Sequence, residues 1–242
     1  MSLWGKIIGG GVGFAVGGPL GAIIGTAAGH AFDKQQCLAD APDEFNRSAA
    51  FTIAVVVLGA KMAKVDGVVT KDEIRTFKDV FEIPAEDIQK IGEIFNHARQ
   101  DSVGFEPFAI QIADMYQGNR AVLEELLHCL STIATADGNL HRNEITYLKK
   151  VSDIFGIGDR TFERITAIEA ASGEGDPFQI LGLYHQVDDA TLKTTYRALV
   201  RENHPDKLIA EGLPEEFIKM ANKKLAAINN AYDQICKQRG LN

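Results

Sequence analysis

The sequence predicts an all-α protein in three parts: an N-terminal glycine-rich transmembrane helix, a helical bundle with an internal repeat, and a C-terminal helical hairpin. Three observations carry this reading. Residues 7–32 hold no Lys, Arg, Asp or Glu and have a glycine at every fourth position. A stretch of 18 residues recurs at an offset of 71. Near the C terminus, two amphipathic patterns meet at His204-Pro205-Asp206.

The bulk numbers bound the function. The 242 residues allow one to two domains, each able to bury a core. A net charge of −8 and a pI near 5.3 argue against a nucleic-acid binder. The acid excess lies early, because from Asp176 onward nine Lys/Arg balance nine Asp/Glu. Cys37, Cys129 and Cys236 are far apart and make no C-x-x-C, so they read as small buried residues of a reducing compartment rather than a zinc site or a disulfide framework. No cofactor motif occurs, and no G-x-x-x-x-G-K-[ST] for ATP.

The N-terminal run of 26 residues is long enough for a bilayer span, which needs roughly 20. Gly9, Gly13, Gly17, Gly21, Gly25 and Gly29 make a bare stripe on a helix. In lipid such a stripe lets a second helix approach closely, so it predicts self-association, as a homodimer. Gly17-Gly18-Pro19 near its middle allows a kink or a helical hairpin in place of a single span. Residues 33–46 are polar, include Pro42, and read as a linker.

From about Arg47 a long helical pattern leads into the repeat. AKVDGVVTKDEIRTFKDV from Ala63 matches ATADGNLHRNEITYLKKV from Ala134. In each copy an apolar helix ends at Asp-Gly, where Gly is free to take positive φ, and a second helix follows. Thr70 with Glu73 makes a capping box; His141 with Glu144 makes a weaker one. Ile74, Phe77, Val80 and Phe81, and Ile145, Leu148, Val151, Ile154 and Phe155, then follow at helical spacing. Asp66, Glu73, Asp137 and Glu144 could hold a divalent metal, but the earlier carboxylates of a calcium loop are missing, so helix-end and cap roles fit them better. The A-x-x-D-G-x-[VL]-x-x-x-E-I pattern resembles the TerB-like helical domain, over about residues 47–170.

Residues 171–175 form a hinge, with Gly173-Glu174-Gly175. A short helix DPFQILGL then starts with Asp176 as cap and Pro177 as first residue. A second helix spans about Asp188 to Asn203, with Leu192, Tyr196, Leu199 and Val200 on one face and Lys193, Arg197 and Arg201 on another. Pro205 breaks the pattern. A third helix runs from about Pro214 to near Lys237, carrying Phe217, Ala221, Leu225, Ile228, Tyr232 and Ile235. The last two helices should pair antiparallel with His204, Pro205 and Asp206 at the tip.

This segment, residues 176–242, resembles the J domain of DnaJ-type co-chaperones in D-P-F-x-x-L-G-L, Y-R-x-L, H-P-D and A-I-N-x-A-Y. The resemblance implies that the tip and the face of Lys193 and Arg197, with Arg201 beside them, dock a DnaK-type chaperone and stimulate its ATP hydrolysis. Ala198 departs from the basic residue many J domains carry there. A basic face suits an acidic partner surface, and Asp206 can accept a charged hydrogen bond from a partner Arg. The order of all three parts resembles the bacterial DjlA-type membrane J proteins. That implies an inner-membrane protein with a short periplasmic tail (residues 1–6), a single span and a cytoplasmic bulk, acting on client proteins the sequence does not name. The competing reading is a metal- or stress-responsive binding protein acting through the repeat. An enzyme using His204 as a base lacks any nucleophile or cofactor motif nearby.

Overall fold

The computed structural model describes residues 18–27, 43–66, 75, 77–78, 83, 85, 88–136, 138, 140–170 and 175–241. These are all-helical, with no strand among them. Helix α1 (Gly18–Ala27) precedes the long α2 (Asp43–Asp66). Then come α3 (Ile88–Gln100), α4 (Glu106–Met115), α5 (Arg120–Ala134), α6 (Arg142–Ile154) and α7 (Asp159–Ala170).

Helix α2 is the axis of the bundle, packed against α3, α4, α5 and α6. It is apolar on every side, and every residue from Ala49 to Ala63 is buried. A helix with no polar face must be surrounded. Its one buried cation, Lys61, is fully engaged: Nζ donates to Asp101 Oδ2 at 2.9 Å and to the carbonyls of Asp101 at 3.2 Å and Val103 at 2.7 Å. Among the described residues, Arg47–Val65 is the one stretch long and apolar enough to cross a membrane, but 83% of that window is buried in the bundle, which makes it a core helix. α2 begins at Asp43 rather than Arg47, so the last residues of the expected linker are helical.

The repeat is visible in its second copy. Gly138 takes φ +88°, as the Asp-Gly ending requires. His141 caps α6, and its N–H donates to Glu144 at 2.9 Å. Leu148 and Val151 are fully buried. Of the first copy, Gly67 to Ile74 lie outside the described residues, while Phe77, the counterpart of Leu148, is buried in the same core.

The C-terminal part comprises α8 (Pro177–Ile180), α9 (Asp189–Glu202), α10 (Pro205–Ala210), a 3-10 turn (Glu215–Phe217) and α11 (Ile218–Arg239). Asp176 caps α8 through Phe178 N–H at 3.1 Å, as expected, and Asp188, read as the start of the second helix, caps α9 through Thr191 N–H at 2.8 Å. Leu192, Ile228, Ala231 and Ile235 bury between the helices, and Tyr196 stacks on Tyr232 at 3.9 Å. The short helix α10 is a correction to the expected plain loop. Pro205 cannot continue α9, but its fixed φ suits the first position of a new helix, which His204 caps.

The hairpin shares a core with the bundle. Leu208, Leu213, Phe217 and Met220 join the bundle's apolar cluster, and Phe217 meets Phe51 edge-on at 4.8 Å. Ser48 Oγ donates to the Gly212 carbonyl at 3.3 Å. Of the expected hinge, only Gly175 is described.

Helix α1 lies on α3 and α4, with Leu20 and Ile23 buried. Leu20 N–H donates to Gln111 Oε1 at 3.0 Å. Gly18 has φ +57° and opens α1 just before Pro19; Gly17 and the residues before it, on which the expected kink or hairpin depends, lie outside the described residues. Of the glycine stripe, Gly21 and Gly25 fall in α1, while Gly9, Gly13, Gly17 and Gly29 lie outside the described residues. Cys129 is buried, whereas Cys236 is only half-buried, a departure from the expected full burial.

Candidate functional site

The tip is built by two helix ends. Asn203, buried at the C-cap of α9, donates Nδ2–H to the Leu199 carbonyl at 2.8 Å. Next, His204 takes extended backbone and caps α10, its Nδ1 accepting from Asp206 N–H at 3.3 Å. With Nδ1 accepting, the neutral ring carries its proton on Nε2, which is left to donate outward. The His204 and Asp206 side chains are 51% and 90% exposed. Two polar groups are thus held by backbone geometry and offered to solvent, while Leu208 beneath them is fully buried.

Lys193, Arg197 and Arg201 are all exposed and follow one another at intervals of four along α9. None forms an ion pair with a carboxylate among the described residues. The stripe ends one turn before the tip, at Arg201.

The candidate metal residues are not brought together among the described residues. Glu144 is 2% exposed and is spent on the His141 cap. Asp66 ends α2; its side chain, Glu73 and Asp137 lie outside what is described.

One buried cluster escaped the sequence reading. Lys224, in α11, is fully buried, with Nζ 3.0 Å from Glu125 Oε2 of α5. His128 Nδ1 lies 3.3 Å from Glu125, and its Nε2 lies 2.7 Å from Glu169 of α7. With a carboxylate on each nitrogen, the ring is held as imidazolium. Burial works against the charge on His128, but Glu125 and Glu169 prevail and raise its pKa. Burial likewise pushes Glu125 up, yet Lys224 and His128 hold it at about 2. The signal was present: Phe217, Ala221, Lys224, Ile228, Ala231 and Ile235 follow the helical period, so Lys224 sits on the apolar stripe.

Comparisons with known proteins match two of the three parts. Residues 1–50 match the family model for the co-chaperone DjlA transmembrane domain, and residues 52–167 match that for tellurite resistance protein TerB. Neither extends into the hairpin. The co-chaperone protein DjlA of Photobacterium profundum is 29% identical, with 98% of this chain and 99% of the relative covered. Those of Escherichia coli O157:H7 and Vibrio parahaemolyticus are each 28% identical, with 99% of both chains covered. No solved structure matches. Matched over 98–99% of its residues by co-chaperones of one kind, with a DjlA-type N-terminal segment followed by a TerB-like domain, the chain is similar throughout to the DjlA co-chaperones.

Proposed function

We propose that the chain is a membrane-anchored co-chaperone that docks a DnaK-type chaperone through His204, Pro205 and Asp206 and stimulates its ATP hydrolysis. The observation that carries this is the exposed, backbone-held tip beside an unpaired basic stripe on α9. Lys193, Arg197 and Arg201 steer an acidic partner surface, and Asp206 accepts from a cation on that partner. The chain supplies no nucleotide chemistry of its own; it acts on the ATPase of its partner. The relatives' name, co-chaperone, supports the same reading.

The match of residues 1–50 to a transmembrane model supports an anchor. In this reading the N terminus is periplasmic and the bulk cytoplasmic, at the inner membrane. The four-residue glycine spacing supports a homodimer through that segment. Client selection falls to the TerB-like bundle.

Single-turnover ATP hydrolysis by a DnaK-type chaperone, with the full chain in detergent micelles, tests the reading. Stimulation by the parent and none by His204→Gln is expected. No stimulation by the parent would refute it.

A further inference from the structure

Between the bundle and the hairpin lies an open cleft of about 410 Å³. Arg120 of α5, Arg160 and Arg164 of α7, and Lys207 of α10 line it. Glu124, Glu202 and Glu211 line it too, so its walls carry four cations less three carboxylates, a formal +1, in a chain of net charge −8. Two of those carboxylates are engaged. Glu124 accepts from Arg120 Nε at 3.0 Å and from Arg164 Nη2 at 2.6 Å, and Glu211 lies 3.5 Å from Lys207 Nζ.

Arg164 is, with Ser131 and Asn203, a buried group that packing among the described residues leaves incompletely satisfied. Its side chain is 5% exposed, yet Nη1 is buried without a hydrogen-bond partner in the protein. Buried polar groups are nearly always satisfied, and a charged donor left alone is costly. The guanidinium that carries it also lines the cleft, where an anion would offset the cost of that buried charge.

We propose that this cleft binds a soluble phosphomonoester. The cations reach it from three helices, α5, α7 and α10. A phosphate offers three strong acceptor oxygens and a charge near −2 at neutral pH, which suits donors converging from several directions. A planar carboxylate is satisfied by a single guanidinium fork. The volume leaves room for the organic part of a small ligand.

The position of the cleft gives the ligand a consequence. Thr195 and Leu199 line it from α9. At about 100° per residue they lie on the side of that helix opposite Lys193, Arg197 and Arg201. A bound ligand therefore joins bundle and hairpin from behind and leaves the docking face clear. Lys207 directly follows Asp206, so the ligand also touches the base of the tip.

Calorimetry on the full chain in detergent micelles, at fixed ionic strength, tests this with inorganic phosphate and with glycerol phosphate as probes. Saturable binding at one site per chain is expected from both, weakened about tenfold by Arg160→Ala and by Lys207→Ala. Both residues are exposed, and an unchanged unfolding midpoint verifies that the variants fold. Lys193→Ala, on the opposite side of α9, should bind as the parent does. Absence of saturable heat at millimolar probe, equal binding of chloride, or parental affinity in both cleft variants would each overturn the proposal. The readout is binding alone, so it stands or falls separately from chaperone stimulation.

Discussion

Lys224 Nζ lies 3.0 Å from Glu125 Oε2, with both side chains wholly buried and 99 positions apart in the chain. One belongs to the hairpin and the other to the bundle. The pair ties the two through the most burial-sensitive contact a protein can make.

Breaking that pair on one side leaves a buried charge uncompensated. Lys224→Met or Glu125→Gln alone should cost about 3–5 kcal/mol in urea unfolding. The double variant Glu125→Leu with Lys224→Met should recover much of that loss, because a well-packed apolar pair is often as stable as the ionic one. A double variant as unstable as the worse single one would disprove this account.

The same cluster makes stability depend on pH in two directions. Glu125 is held at about 2 against an ordinary 4.5, so its contribution is full above about pH 4.5 and is lost as the pH falls toward 2. Glu169 is also lowered and loses its contribution in the same direction. His128 is raised above 6.5, so its contribution is full below that pH and is lost as the pH rises through the folded value. Thermal unfolding midpoints should form a plateau from about pH 5 to 6.5 and decline on either side. In His128→Asn the alkaline decline should shrink; an unchanged decline would place its origin elsewhere.

At the tip, function and stability should separate. Asp206→Asn and His204→Gln should abolish chaperone stimulation. Asp206 is 90% exposed, so its change should move stability by no more than about 0.5 kcal/mol. Losing the His204 cap should cost about 1 kcal/mol. A His204 variant with full stimulation would remove the tip from the mechanism.

For the stripe on α9, alanine at Lys193, Arg197 or Arg201 should slow association with the chaperone and flatten its salt dependence, leaving dissociation little changed. Stopped-flow binding across a salt series reads both. A change confined to dissociation would mean that these cations sit in a buried contact rather than at a steering rim.

Phe217→Ala should cost about 3–5 kcal/mol, since the ring is fully buried against Phe51. Hydrogen exchange should then quicken at Leu208 and Leu213, which share that apolar cluster. Protection retained there would show that the loop holds to α2 by other means.

Much of this architecture was legible because its signals are local. Asp176, Asp188 and Pro177 mark helix starts by chemistry acting within one turn, and the structure places the starts there. The Asp-Gly of the second repeat demanded a left-handed residue, and Gly138 supplies it. What stayed hidden depends on distant partners. Periodicity shows that Phe217 and Ala221 face something apolar, but not that this is the bundle. Lys224 stood on the apolar stripe, yet its meaning required Glu125. The cleft needed the same information, because Arg164 and Lys207 meet there only after the hairpin folds back onto the bundle. α10 was missed for a different reason: Pro205 was read as ending one helix when it also begins the next.

Ser48 and Phe51 grip the segment that follows the tip, and they stand at the start of α2, at the end of the region that matches a transmembrane model. The segment after the proposed docking tip is therefore fastened to α2, not carried out on a swinging arm. If the tip docks an ATPase as proposed, the captured partner would be held at a fixed place against the TerB-like bundle, set by the packing of Phe217 on Phe51 rather than by the statistics of a flexible tether.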